Sequence, residues 1–213
     1  NSKAPQAYKD YKKKILASNL CSEICLATNE LESFVCVLSS MNLLYYDEWK
    51  NTDAVEVLLT FLDSVVTEFC NKVEKMRDNG TIEGKRAFFF LERAYNFAKN
   101  QRALGMGVLG WHSFLQSKGL PFESKESAQL NIEIFQYLDK ETLRTTKKLA
   151  QEYGEPSLLE GYGERNTTRM ALAPTQSSAF ILKQVSNTIE PIWSNCYVDD
   201  KAKIKMTVKN PVL

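Results

Sequence analysis

The sequence predicts an α/β fold in which helices alternate with short, buried, parallel strands. Long segments with apolar residues at a helical period are separated by short apolar runs rich in β-branched residues. At 213 residues and 44% hydrophobic content, the chain can bury a substantial core within one domain. Its 27 basic and 26 acidic residues nearly cancel, which argues against binding to nucleic acid or an anionic membrane through net charge.

The first half of the chain supplies a strand and two long helices. Residues 8–16 are rich in lysine and have the spacing of a solvated helix or arm, while the β-branched run 35–38 favours a buried strand. Apolar residues follow a helical period over 53–76, and Asn79-Gly80 would end that helix. A second helical segment covers 85–101.

A glycine-rich segment, 105–110, comes next and leads into a short helix at 111–117. A dinucleotide-binding loop would need a preceding strand and a later acidic residue at a fixed distance. A basic helical segment precedes these glycines instead, so we expect them to allow close backbone packing. A long helix is predicted from Ser124 to Tyr153, ending at Gly154.

The last part of the chain alternates loops with short elements. Residues 161–168 form a loop, 170–172 a buried strand, 174–178 a turn and 178–184 the opening of a helix. A final strand is predicted near the C-terminus from the alternation of Ile204, Met206 and Val208.

Composition also excludes several classes of protein. We see neither a membrane span nor a signal peptide, which favours a cytoplasmic chain. Five cysteines, an odd number without secretory features, indicate reduced thiols rather than a disulfide scaffold. His112 is the only histidine and there is no Cys-x-x-Cys pair, so a zinc or carboxylate-histidine di-metal site lacks its ligands.

The group of side chains with the most reactive chemistry consists of Asn19, Cys21 and Glu23. Cys36 follows on the next apolar run. In an extended stretch, alternate side chains share a face, so an amide, a thiol and a carboxylate would meet there. A free cysteine is nevertheless commonly a small buried hydrophobe, and the spacing alone does not decide between the two interpretations.

Five segments in the same order resemble the ribonucleotide reductase large subunit. Residues 18–24 (Ser-Asn-Leu-Cys-Ser-Glu-Ile) and 35–43 resemble its finger loop and redox-cysteine region. Residues 102–110 resemble its Arg-x-Leu/Ile-Gly-x-Gly-Val-x-Gly segment, 170–178 its phosphate-binding turn, and 186–191 the segment that follows this turn. The resemblance implies that residues 1–213 are part of a catalytic domain built as a ten-stranded β/α barrel with a central finger loop.

The resemblance also implies roles for individual side chains. Cys21 would become a thiyl radical that removes the 3′ hydrogen of a ribonucleotide, and Glu23 would act as general base on the 3′ hydroxyl. Asn19 would hold substrate hydroxyls, and Cys36 would be one half of the reducing dithiol. The substrate diphosphate would bind at the turn formed by Pro174, Thr175, Gln176, Ser177 and Ser178, although without the resemblance a simple helix N-cap explains that turn.

The chain departs from the family pattern at the second redox cysteine, which the family places well upstream of the finger loop. Cys25 could replace it by proximity, but we expect packing roles for Cys25, Cys70 and Cys196, which match no motif position. A packing or surface position is expected for the Tyr45-Tyr46 pair, and His112 is assigned no catalytic role.

We therefore expect a partial catalytic barrel that lacks the N-terminal allosteric part and the C-terminal tail and is inactive alone. It would bind no cofactor itself. A metal-containing small subunit would supply the radical, thioredoxin or glutaredoxin would reduce the disulfide, and the remaining large-subunit segments would associate with this chain in an oligomer. The alternatives are a fragment of the adenosylcobalamin-dependent class and a noncatalytic interaction module derived from the barrel.

Overall fold

The computed structural model describes residues 2–201, 204–210 and 212. In chain order the helices are α1 (Gln6–Asp10), α2 (Tyr46–Trp49), α3 (Ala54–Asp78), α4 (Ile82–Gln101), α5 (Trp111–Ser117), α6 (Lys125–Tyr153) and α7 (Gln176–Ile181). The strands are β1 (Leu38–Asn42), β2 (Gly105–Leu109), β3 (Cys196–Lys201) and β4 (Ile204–Lys209), and short 3₁₀ turns occupy Leu43–Tyr45 and Ser157–Leu159.

Three parallel segments form the sheet that organises the chain. β1 pairs with β2 from Leu38 opposite Gly105 to Asn42 opposite Leu109. On the other side of β2, Met106 forms a parallel bridge with Met170 and donates its N–H to the Arg169 carbonyl at 2.9 Å. Helices α3 and α4 connect β1 to β2, so the predicted alternation of helices with parallel strands is confirmed.

Two predicted strands differ from those observed. The strand expected at 35–38 begins only at Leu38 and continues through Asn42. Its extent is set by pairing with β2, which includes the polar residues Ser39 and Ser40 that a search for apolar runs does not assign to a strand. The strand expected at 170–172 is reduced to the single bridge at Met170.

The glycines of β2 permit the close backbone packing that was predicted. A Cβ on Gly105 would lie 2.4 Å from Leu38 Cδ2, and one on Gly107 would lie 2.3 Å from the Ala171 carbonyl oxygen. Both distances are far below van der Waals contact, so β2 fits between its neighbours because these side chains are absent.

The long helices agree with their predicted spans within a few residues. The helix predicted at 85–101 begins earlier, at Ile82, because Thr81 Oγ1 accepts the Gly84 N–H. Ser124 caps α6 in the same way through the Ser127 N–H. The solvated helix or arm predicted at 8–16 is helical only as far as Asp10, and its prediction as solvated is wrong for Tyr8, which is fully buried.

The main core lies where α3, α4, α5 and α6 pack against the sheet. Its fully buried members include Leu43, Leu59, Leu104, Met106, Val108, Leu115, Ile134 and Leu138. None of the helices within the described part of the chain combines the length and hydropathy needed to cross a membrane.

Near the C-terminus, β3 and β4 form an antiparallel hairpin, which confirms a strand at the predicted position 204–208. Asn210 fastens the hairpin by donating to Gln116 Oε1 and Asn195 Oδ1 at 2.9 and 3.0 Å.

Candidate active site

The finger-loop residues form a tight turn rather than the extended stretch that was expected. The Ser22 N–H donates to the Asn19 carbonyl at 3.1 Å, and Ser22 has a left-handed φ of 62°. The Asn19 N–H in turn donates to the Ile24 carbonyl at 3.3 Å. Alternation along a strand therefore does not explain the site.

The turn nevertheless brings the predicted catalytic side chains together. Asn19 Nδ2 lies 3.9 Å from Cys36 Sγ, while Asn19 Oδ1 accepts the Ile24 N–H at 3.3 Å. Partial desolvation raises the pKa of the Cys36 thiol and the nearby charges of Glu23 and Cys21 raise it further, which outweighs the lowering by the Asn19 hydrogen bond. Both Cys21 and Cys36 remain exposed and accessible to a ligand.

Glu23 carries one carboxylate oxygen in an unusual environment. Its Oε2 atom is buried and has no hydrogen-bond partner among the residues that the structure describes. A buried acceptor without a partner is costly, so its presence beside two thiols is consistent with a ligand that supplies the missing donor.

A cleft of about 810 Å³ opens beside Glu23. Cys25 and Met170 line it together with Arg169, whose Nη2 donates to Asp139 Oδ1 at 3.0 Å. No sequence pattern indicates that Arg169 and Asp139 line this cleft. Asp139 lies on α6 and Arg169 precedes the bridge to β2, and no sequence motif connects these two segments.

The packing predicted for the three other cysteines is confirmed for only one of them. Cys70 is buried in the core on α3, but Cys25 and Cys196 are exposed. At positions 24 and 25, the side chain of Ile24 is buried in the core and that of Cys25 is exposed. Cys196 is the first residue of the hairpin strand β3.

The candidate phosphate-binding turn lies at the start of α7. Thr175 is buried, and its Oγ1 accepts the Thr188 N–H at 2.9 Å instead of capping the helix. Pro174, Gln176, Ser177 and Ser178 are exposed. In the described part of the chain, no acceptor bonds the N–H groups of residues 176–178. The turn therefore presents free donors and is not a cap closed by its own side chain.

The packing interpretation holds for Tyr46, and His112 makes a structural contact. Tyr46 is buried, with its ring edge-on to Trp49 at 5.0 Å between centroids. His112 Nδ1 accepts the Ile192 N–H at 2.8 Å, and burial lowers the pKa of this imidazole. Tyr45 lies beneath Lys183, whose Nζ is 5.0 Å from the ring centroid.

Within residues 2–201, 204–210 and 212, no group of three or more His, Cys, Asp or Glu side chains is arranged to hold a metal ion. The reactive groups at the site are thiols, a carboxylate and an amide.

Comparison with known proteins places this chain in a family. The family model described as "Ribonucleotide reductase, barrel domain" matches residues 1–159 and 156–213. The ribonucleoside-diphosphate reductase large subunit of Invertebrate iridescent virus 6 is 39% identical over 194 residues, which cover 91% of this chain and 19% of that protein. A putative large subunit from Frog virus 3 is 38% identical, covering 87% of this chain and 31% of that protein.

A solved structure agrees with these matches. The Actinobacillus ureae class Id ribonucleotide reductase alpha subunit superimposes with a TM-score of 0.83 at 50% identity, over 92% of this chain and 35% of that one. The predicted fold class, an α/β barrel of which this chain carries a part, is confirmed. The chain thus spans between about a fifth and about a third of the length of these relatives. Since the barrel-domain model matches the whole length of this chain, the chain belongs to the ribonucleotide reductase family.

Proposed function

We propose that residues 1–213 form part of the catalytic barrel domain of a large subunit that reduces ribonucleoside diphosphates to 2′-deoxyribonucleoside diphosphates. The observation that carries this proposal is the turn that places Asn19, Cys21 and Glu23 beside Cys36, which lies two residues before β1. The names of the relatives, which are reductase large and alpha subunits, support the same reaction.

Cys21 is the proposed radical residue. As a thiyl radical it takes the hydrogen atom from C3′, so that an S–H bond forms while the C–H bond breaks and the unpaired electron moves to C3′. At the end of the cycle Cys21 returns a hydrogen atom to C3′. Its exposed position on the turn suits contact with a ribose.

Glu23 is the proposed general base. Its unpartnered Oε2 can accept the proton of the 3′ hydroxyl, which helps the 2′ hydroxyl leave as water. A base placed in this way contributes on the order of 10²–10⁴-fold to the rate. Asn19 has a second N–H beyond the long contact to Cys36, and we assign that N–H to a substrate hydroxyl.

Cys36 is the proposed reductant at C2′. Its raised pKa keeps the thiol protonated near neutral pH, as a donor of hydrogen to the substrate must be. Two thiols each give up one hydrogen and end as a disulfide, which balances the loss of the hydroxyl as water. The second thiol is either an upstream cysteine, as in the family pattern, or Cys25, which is exposed beside Glu23.

The turn from Pro174 to Ser178 is the proposed diphosphate site. The Ser177 and Ser178 hydroxyls and the free N–H groups of residues 176–178 are donors that a phosphate group can accept from. Thr175 contributes through its backbone, because its hydroxyl is turned to Thr188.

The radical comes, in this proposal, from a separate metal-containing small subunit, and thioredoxin or glutaredoxin reduces the disulfide in the cytoplasm. The match to a class Id alpha subunit favours this partner-dependent arrangement over the adenosylcobalamin-dependent class. The remaining segments of the large subunit would complete the barrel around the finger loop.

Reduction of a ribonucleoside diphosphate by the complete large subunit with its radical-generating partner tests the proposal. We expect Cys21→Ser to abolish turnover, while Cys196→Ser, an exposed cysteine outside the site, leaves it unchanged. Equal turnover by the Cys21→Ser variant would refute the proposed role.

Binding of a ribonucleoside diphosphate distinguishes an active barrel from a noncatalytic interaction module. The double change Ser177→Ala and Ser178→Ala should weaken binding at least about 100-fold, since each hydroxyl donates to a charged group at about 1.5–3 kcal/mol per hydrogen bond. Undiminished binding in calorimetry would show that the turn is not the phosphate site.

A further inference from the structure

A buried carboxylate lies at the base of the loop that carries Cys21. Glu32 is only 6% exposed. Its Oε2 accepts from Lys13 Nζ at 2.6 Å and Gln101 Nε2 at 3.0 Å, and its Oε1 accepts from Asn100 Nδ2 at 3.1 Å. Each oxygen of this carboxylate is therefore held by at least one donor.

Lys13 and Glu32 close the loop at its two ends. The ion pair between them spans residues 14–31, which include the whole candidate finger-loop turn. Asn29 reinforces this closure, because its Oδ1 accepts the Glu32 N–H at 2.8 Å and its carbonyl accepts from Arg93 Nη2 at 2.8 Å.

Two further buried residues fix Glu32 to the helical scaffold. Gln101, the last residue of α4, is fully buried and uses its Oε1 to accept from the Tyr8 hydroxyl at 2.5 Å. With Oε1 committed to Tyr8, the amide nitrogen of Gln101 must face Glu32. The side chain of Gln101 thus has one orientation that satisfies both neighbours.

The next residue along, Arg102, anchors the same corner of α4 to α3. Its Nε donates to Asp63 Oδ1 at 2.8 Å in a second buried ion pair. The loop base is therefore attached to a rigid part of the core, whereas the tip reaches Cys36 through a single long contact from Asn19.

We infer that Glu32 is a positioning residue, which holds the loop so that Cys21 and Glu23 stay beside Cys36. This inference rests on the proposed function for its catalytic meaning, but the placement of the loop is measurable without turnover. Since a misplacement of about 1 Å at reacting groups can cost about 100-fold in rate, a firm loop base matters for the chemistry.

The test compares Glu32→Gln with Glu68→Gln in the complete large subunit. Both changes neutralise a carboxylate that pairs with a lysine, but the Glu68–Lys72 pair is exposed on α3. Iodoacetamide labelling of each cysteine is followed against pH by peptide mass spectrometry, with Cys196 as internal reference. Turnover and KM for the ribonucleoside diphosphate are measured alongside.

In Glu32→Gln we expect the labelling profile of Cys36 to move to lower pH, because a loosened loop relieves the desolvation of Cys36 and withdraws the charges of Glu23 and Cys21. These effects outweigh the loss of the hydrogen bond from Asn19, which acts in the opposite direction. If Glu32→Gln only destabilised the protein, the pH profile of Cys36 labelling in the molecules that remain folded would be unchanged. We also expect kcat to fall about tenfold or more with KM within about twofold, since the turn at 174–178 is untouched. Glu68→Gln should change none of these quantities.

An unchanged Cys36 profile in Glu32→Gln overturns the inference, whatever the turnover. A wild-type subunit that shows no turnover overturns the proposed function instead. Should Glu32→Gln fail to fold, Lys13→Gln carries the same test, because it leaves the bonds from Asn100 and Gln101 to Glu32 in place. A smaller shift in the same direction is expected there, and no shift contradicts the inference.

Discussion

Cys36 experiences a local environment that disfavours its thiolate. Burial is the larger cause of its raised pKa, and the Glu23 carboxylate adds a like charge. We predict that Glu23→Gln lowers the Cys36 pKa, since it removes that charge, so alkylation of Cys36 at pH 7 becomes severalfold faster. Site-resolved labelling measures this, with Glu68→Gln as the distant control. A slower or equal rate would place Glu23 too far away to act on Cys36.

Asp63 is the second buried carboxylate and has a structural role. It accepts from Arg102 Nε and Asn166 Nδ2 on Oδ1, at 2.8 and 2.9 Å, and from Arg165 Nε on Oδ2 at 2.8 Å. These contacts connect α3, the end of α4 and the segment leading to Met170. Because two guanidinium groups share one carboxylate, removing its charge leaves them uncompensated.

We predict that Asp63→Asn lowers the free energy of unfolding by about 3–5 kcal/mol at neutral pH. Urea denaturation measures the loss, and Asp78→Asn is the control, because its carboxylate is exposed and pairs with Arg77 in solvent. A loss below about 1 kcal/mol would mean that Arg102 and Arg165 find other acceptors.

The pH dependence of stability gives a separate test of Asp63. Burial alone would raise its pKa, but hydrogen bonds and charges from Arg102 and Arg165 outweigh burial and hold the pKa below its usual value. The stabilisation is therefore complete above the unfolded pKa of about 4 and is lost as the pH falls through the lower folded value. Denaturation at a series of acid pH values should show a smaller slope in Asp63→Asn than in wild type.

At the scale of elements, β2 is packed closely against the segments on both of its sides. The Met106 N–H donates to the Arg169 carbonyl, and the Ala171 N–H donates back to the Met106 carbonyl at 3.2 Å. The pairing of β2 with residues 169–171 therefore depends on close approach at Gly107. A methyl group there cannot be relieved by rotating a side chain, since it meets the Ala171 backbone.

We predict that Gly107→Ala destabilises the protein by about 1–3 kcal/mol and separates β2 from residues 169–171. Hydrogen exchange should then become faster at the amides of Met106 and Ala171. Gly80→Ala provides the comparison, because Gly80 has open space around it but a left-handed φ of 74°. It should cost stability without changing exchange at those two amides, and unchanged exchange in Gly107→Ala would contradict the prediction.

The elements also differ in how well sequence patterns predict them. Helices α3, α4 and α6 carry local signals, namely apolar periodicity and capping residues such as Thr81 and Ser124. β1 has no comparable signal, since Ser39, Ser40 and Asn42 are polar and become strand only by pairing with β2. The turn at Asn19–Ser22 likewise differs from the predicted extended stretch, because its left-handed serine has no sequence signature.

At the scale of the whole molecule, large apolar side chains remain uncovered. On α3, Val57, Phe61 and Val65 lie at successive helical turns and are exposed, Phe61 to 60%. On α4, Phe89 and Phe90 are also exposed, with ring centroids 5.6 Å apart. Apolar patches of this kind indicate association with another surface.

We predict that the isolated 213-residue chain associates and that Phe61→Glu shifts it toward the monomer. Sedimentation velocity at a series of concentrations measures the shift. Ser64→Glu, which adds the same charge at an exposed position of α3, should have a smaller effect. A wild-type chain that is a stable monomer at every concentration would contradict both this prediction and the expected pairing with other segments.

The sequence by itself determined the α/β class, the long helices, the family and the identity of the candidate catalytic side chains. These properties depend on local periodicity and on short motifs, which can be read from the sequence without knowledge of the fold. Only the tertiary structure decided that Asn19 contacts Cys36 across a turn, that Thr175 faces Thr188, and that Glu32 is buried beneath the finger loop. Such contacts join residues distant in sequence, and the burial that gives them their strength is a property of the assembled core.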